Sequence, residues 1–158
     1  MGVHRDDAMA IDAAIAAGAD MNARGSGGQT PLMMASLQGK VKALKALLNQ
    51  GADANIGEAD GYTPMHGAAF QGRAEAAQVL IAHGINARDM HEDGFEPIQR
   101  ACWGTEKRHT DTVSSFLRHG VPLDGKVFET CRESRNAGTR EAVKQWWIQE
   151  NSGIKSSL

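Results

Sequence analysis

Apolar residues fall into short helical stripes that glycines interrupt. Val41, Leu44, Leu47 and Leu48 mark one face of a helix that Gly51 stops, and Ala77, Leu80 and Ile81 repeat the stripe up to Gly84. Each stripe follows a shorter helical segment that opens on Thr30-Pro31 or Thr63-Pro64 and closes at Gly39 or Gly72. A threonine hydroxyl can accept from the free N–H groups of a first turn, and proline at the first helical position loses no bond by lacking its N–H. Gly39 and Gly72 supply the left-handed residue that ends a short helix. The pattern predicts helices near residues 7–17, 31–38, 41–49, 64–71, 74–82, 97–103, 110–118 and 139–149.

These signals share one period. Thr30-Pro31 and Thr63-Pro64 lie 33 residues apart, and Pro97 follows another 33 later behind Glu96. Gly18-Ala19-Asp20 recurs as Gly51-Ala52-Asp53 and as Gly84-Ile85-Asn86, and Ala35, Ala68 and Ala101 keep step. About ten residues rich in Gly, Asp and Asn follow Gly51 and Gly84, too short and turn-rich for another helix, so they read as an extended turn or hairpin. The alanine columns let paired helices approach closely. One unit is therefore turn, helix, turn, helix.

With Thr30-Pro31-Leu32, Thr63-Pro64-Met65-His66, Ala68-Ala69 and Gly51-Ala52-Asp53-Ala54-Asn55, the chain resembles the ankyrin-repeat family in period and in the T-P-L-H-x-A signature. The resemblance runs from about residue 6 to 150 and implies an all-α solenoid of stacked units. It divides residues 1–150, one domain, into a half repeat at 6–24, repeats at 25–57 and 58–90, a repeat with an insertion at 91–123 and a cap at 124–150, followed by a flexible tail at 151–158.

Several positions depart from the family pattern. Met33 and Gln99 stand where only His66 keeps the motif histidine, so a ladder of inter-repeat hydrogen bonds is expected to break on both sides. The third unit carries three extra residues, placed by the spacing in Gly104-Thr105-Glu106-Lys107-Arg108 between its helices. Six residues before the first stripe look too few for a helix, which suggests a half-repeat cap or a piece of a longer array. Gly120 to Gly138 spans 18 residues where Gly51 to Gly72 spans 21, so the last hairpin is expected to be short. Val143, Trp146 and Trp147 share one helical face, and burying the two rings on the preceding unit would make a Trp→Ala change cost roughly 3 to 5 kcal/mol.

Charge and cysteine usage narrow the functional classes. A net charge of −2 and no basic run longer than Lys107-Arg108 argue against nucleic acid as a partner. The apolar stretch Ile11 to Ala19 is too short to span a bilayer, and nothing before it reads as a signal peptide. Met1-Gly2 lacks the Ser or Thr that myristoylation wants at position 6, which is Asp6. Cys102 and Cys131 are too few for a disulfide framework and lack metal-site spacing, so they predict free thiols in a reducing compartment, cytoplasm or nucleus.

Candidate chemistry stays thin when each feature is set against its ordinary use. His66 occupies the motif position and is expected to bridge backbone groups of adjacent repeats, while His83 and His119 precede helix-stopping glycines, where a cation favours the C-terminus. Metal ligation by His83 and His91 lacks helical spacing. Cys102 reads as a small buried thiol with no base or orienting partner for nucleophilic catalysis. Gly25-Ser26-Gly27-Gly28 lacks the lysine of a phosphate loop and falls where a hairpin tip belongs. Ser156-Ser157-Leu158 resembles a carboxylate-tail ligand, a match that three residues make easily by chance. No catalytic residue, cofactor or metal is expected.

The aromatic residues are less ordinary. In the family, hairpin tips and the end of the first helix face the concave groove. One tip column here holds Gln29, Tyr62 and Phe95, and one first-helix column holds Leu37, Phe70 and Trp103, so four of the eight aromatics fall where the fold does not require them. Gln38 and Gln71 flank them. The period predicts Tyr62 beside Phe95 and Phe70 beside Trp103. Such a patch implies a non-enzymatic, monomeric module that binds a protein or peptide along its groove. Two alternatives stand beside it: the rings stack on one another to cover the hairpins, or the chain is a spacer or capping segment of a longer array with no partner of its own.

Overall fold

The computed structural model describes residues 2–152, so Ser156-Ser157-Leu158 and most of the expected tail lie outside the described residues. Ten α-helices and no strand are found among those residues: α1 (Gly2–Arg5), α2 (Ala8–Ala16), α3 (Pro31–Gln38), α4 (Val41–Asn49), α5 (Pro64–Phe70), α6 (Ala74–Ala82), α7 (Pro97–Cys102), α8 (Lys107–Arg118), α9 (Gly125–Arg132) and α10 (Ala137–Asn151). Helices α3, α5, α7 and α9 stack in one row, and α2, α4, α6, α8 and α10 in a second row. Between them lies a continuous core in which Leu32, Leu44, Met65, Leu80, Ile98, Val113, Phe116 and Val143 are fully buried.

The local signals act as their chemistry requires. Thr30 Oγ1 accepts from the Met33 N–H at 3.2 Å, and Gly39 ends α3 with φ of 68°. Glu96 replaces threonine with a carboxylate that caps α7 in the same way. Each expected hairpin closes by the same bond, repeated at 33-residue steps: Gly25 N–H to Gln29, Glu58 N–H to Tyr62 and His91 N–H to Phe95 carbonyls, at 2.9, 3.0 and 3.1 Å. Adjacent tips join where the Ala59 N–H donates to the Gly27 carbonyl at 2.9 Å.

Both ends differ from expectation. The residues before the first stripe do hold a helix, the single turn α1, which buries Val3. Gly2 makes this possible, since a side chain there would lie 2.7 Å from Ile11. At the other end the hairpin is lost altogether: only Val121 to Asp124 separate the glycine stop from α9, a helix the spacing did not predict. Gly138 consequently sits inside α10 instead of ending a helix.

The cap also rests on different residues. Val143 is fully buried and Trp146 is half-buried, but Trp147 stays 40% exposed, stacked on Phe128 at 4.3 Å between ring centroids. The outer face of the last helix has no further unit to cover it, which is why the second ring remains in water.

Cys102 and Cys131 are not free thiols. They form a disulfide that ties α7 to α9, both fully buried, across a sequence separation of 29. Helix α9 stacks on α7 as α7 does on α5, but with the last hairpin lost the 33-residue spacing did not place Cys131 in that row.

The surplus of the third unit lengthens α8 rather than its loop: α8 begins at Lys107, three residues before the expected start, capped by Glu106. His109 thereby reaches back a whole unit, its Nε2 lying 3.2 Å from the Phe70 carbonyl while Nδ1 accepts from the Glu106 N–H. Gly104 makes room, because a Cβ there would stand 2.0 Å from the His109 ring. Gly104→Ala is expected to lower stability by about 2 kcal/mol through this overlap. Denaturant unfolding would show the loss, and an unmoved midpoint would mean that the His109 bridge contributes nothing.

Candidate functional site

The hairpin tips and the row of α3, α5 and α7 form a groove of about 360 Å³, lined by Gln29, Glu58, Asp60 and Tyr62 from the tips and by Met33, Leu37, His66, Gly67, Phe70 and Arg100 from the helices. Gly67 keeps it open. A Cβ there would come within 3.0 Å of Met33 Sδ and 3.2 Å of Leu37 Cδ2, although helix propensity alone would favour alanine in mid-helix. Gln29, Leu37, Tyr62 and Phe70 from the predicted set thus meet around one opening, while Gln38, Gln71, Phe95 and Trp103 do not line it.

The rings do not pair as the period suggests. Phe95 packs edge-on against Trp103 of its own unit at 4.9 Å, and Tyr62 stacks on His91 at 3.9 Å. What joins them is Arg100, whose guanidinium lies 4.8 Å from the Tyr62 centroid, 5.5 Å from Phe95 and 4.8 Å from Trp103. Arg100 is only 8% exposed and ion-paired with Asp93, which also accepts from the Tyr62 hydroxyl at 3.3 Å. Lys126 Nζ also lies over the Phe95 ring, 3.8 Å from its centroid. Phe70, by contrast, is 57% exposed and makes no ring or cation contact among the described residues.

Sequence reading missed Arg100, His91 and Asp93. One signal was available: Arg100 follows Met34 and Gly67 in its column, a charge where the earlier units carry none. Its position at the meeting point of three rings is tertiary and has no mark in the spacing.

Of the two departures from the motif histidine, Gln99 keeps a rung of the ladder. His66 Nδ1 accepts from the Thr63 N–H at 3.4 Å, while Nε2 lies toward the Asp89 backbone without closing a hydrogen bond. Gln99 continues the pattern with different atoms. Its Oε1 accepts from the Glu96 N–H at 2.9 Å and its Nε2 donates to Thr130 Oγ1 at 2.8 Å in α9. His83 and His119 each place Nδ1 on the carbonyl four residues earlier, Val79 and Ser115, at the ends of α6 and α8.

Electrostatics around Tyr62 follow from these contacts. Burial pushes the His66 pKa down. Burial also opposes charge on His91, but the Asp60 carbonyl 2.8 Å from Nε2 and the Asp93 carboxylate outweigh it and raise its pKa. The hydrogen bond from Arg100, first, and then His91 hold the Asp93 carboxyl well below its ordinary range. Native His91 binds its proton more tightly than the unfolded chain does, so its contribution is complete below pH 6.5 and disappears as pH rises through the raised native value. His66 acts with the opposite sign. His91→Gln is therefore expected to remove part of the stability gained on going from about pH 8 to about pH 6. Melting temperatures of both proteins across that range check this, and parallel curves would refute the assignment.

Among the described residues, no group of three or more His, Cys, Asp or Glu is placed to hold a metal ion, and no helix is long and apolar enough to cross a membrane. A family model described as ankyrin repeats, in three copies, matches residues 3–91, just over half of the chain. No curated protein matches it.

Proposed function

Because the chain belongs to the ankyrin-repeat family, whose units generally mediate protein–protein interaction, we propose that it is a non-enzymatic, monomeric module that holds a protein or peptide in the groove between its hairpins and inner helices. The observation that carries this is Phe70, an exposed ring at the mouth of an apolar groove that Gly67 leaves open. Packed units present a rigid surface, so little ordering entropy opposes binding, and a ring beside a preformed pocket is the usual anchor. Gln29, Leu37, Gln38, Tyr62, Gln71, Phe95 and Trp103 complete the proposed surface. An intracellular setting rests on the family alone, since the Cys102–Cys131 pairing withdraws the support that free thiols would have lent.

Phe70 is the cleanest probe. Tyr62, Phe95 and Trp103 are engaged with Arg100, which favours the alternative that those rings cover the hairpins of a spacer. Phe70→Ala is expected to weaken capture of a partner about thirtyfold, equivalent to about 2 kcal/mol, with the melting temperature nearly unchanged. Leu47→Ala should unfold early instead, because Leu47 is buried between the helix rows. A spacer would show no difference in capture between wild type and Phe70→Ala.

A further inference from the structure

Resting on the groove reading above, we infer that the occupant is an extended peptide segment bearing an aliphatic anchor flanked by lysine or arginine. The apolar part of the groove, Met33, Leu37, Tyr62 and Phe70, accepts the anchor above Gly67. Glu58 and Asp60 stand on its rim, and they also line an adjoining hollow of about 830 Å³ together with Asp89 and Glu92. None of these four carboxylates has an ion-pair partner among the described residues. Arg100, the arginine lining the groove, is already neutralised by Asp93. The groove therefore presents uncompensated negative charge beside an apolar pocket, which attracts a cationic segment and opposes an acidic one.

Short synthetic peptides with a central leucine flanked by lysine and arginine, by serine, or by aspartate and glutamate would be titrated against wild type, Phe70→Ala and the double variant Glu58→Gln/Asp60→Asn. Both carboxamide changes keep side-chain shape, and melting curves would verify that each variant is folded. Basic flanks are expected to bind about tenfold tighter than acidic flanks at low salt, from several rim charges acting together. The double variant, which leaves Asp89 and Glu92 charged, should reduce that preference to about threefold, and Phe70→Ala should weaken every peptide. Equal or tighter binding of the acid-flanked peptide, still sensitive to Phe70→Ala, would overturn the basic-partner inference and leave the groove reading standing. Binding indifferent to Phe70→Ala, or no binding of any peptide, would overturn both.

Discussion

Ending the chain at Asn136, which removes α10, is expected to lower stability by roughly 3 to 5 kcal/mol and to promote aggregation. Helix α10 covers α8 and α9, and its Val143 and Thr139 are fully buried. Without it α8 loses the neighbour that Thr110 bonds through Thr139 and that lies beside Leu117, and an uncapped solenoid end is an apolar surface in water. The load falls on Val143, not on the second tryptophan. Val143→Ala should cost about 2 kcal/mol, whereas Trp147→Ala should cost only about 1 kcal/mol, the worth of its stacking on Phe128. Thermal and denaturant unfolding of the three proteins would test this ordering, and a truncated chain that melts with the wild type would show that the end is stable without its cap.

Replacing both Cys102 and Cys131 with alanine is expected to cost roughly 3 to 4 kcal/mol, the loop-closure entropy of a cross-link spanning about 30 residues. The effect should be confined to the C-terminal end, since the bond joins α7 to α9 and touches no earlier unit. Reductant should bring the wild type toward the variant, after local opening exposes the buried sulfurs. Thiol counting on the unfolded, unreduced protein provides the check: no free thiol is expected, and two would contradict the pairing.

The middle of this fold was readable from a single periodic signal, and the reasons it failed elsewhere are physical. Thr30, Thr63 and Pro97 place the starts of α3, α5 and α7 because capping and proline act within one turn of chain. At α8 the same task is done by Glu106 with His109, which no Thr-Pro announces. At α9 the hairpin is missing, so counting from the glycines lands inside the wrong element, and with it went the nearness of Cys131 to Cys102. The columns found Tyr62, Phe70, Phe95 and Trp103, since large rings at variable positions are visible in a repeat. They did not reveal that Arg100 binds three of those rings, which depends on how units pack. Gln99 carries the other lesson: an amide can replace an imidazole when both present an acceptor toward one neighbour and a donor toward the next.

Hydrogen–deuterium exchange of the chain alone and with its bound partner tests groove binding most directly. Slowed exchange is predicted in the hairpin tips around Tyr62 and along α5 through Phe70, with α4, α6 and α8 unchanged. Protection confined to those outer helices, with the tips and α5 exchanging as in the free protein, would contradict the account.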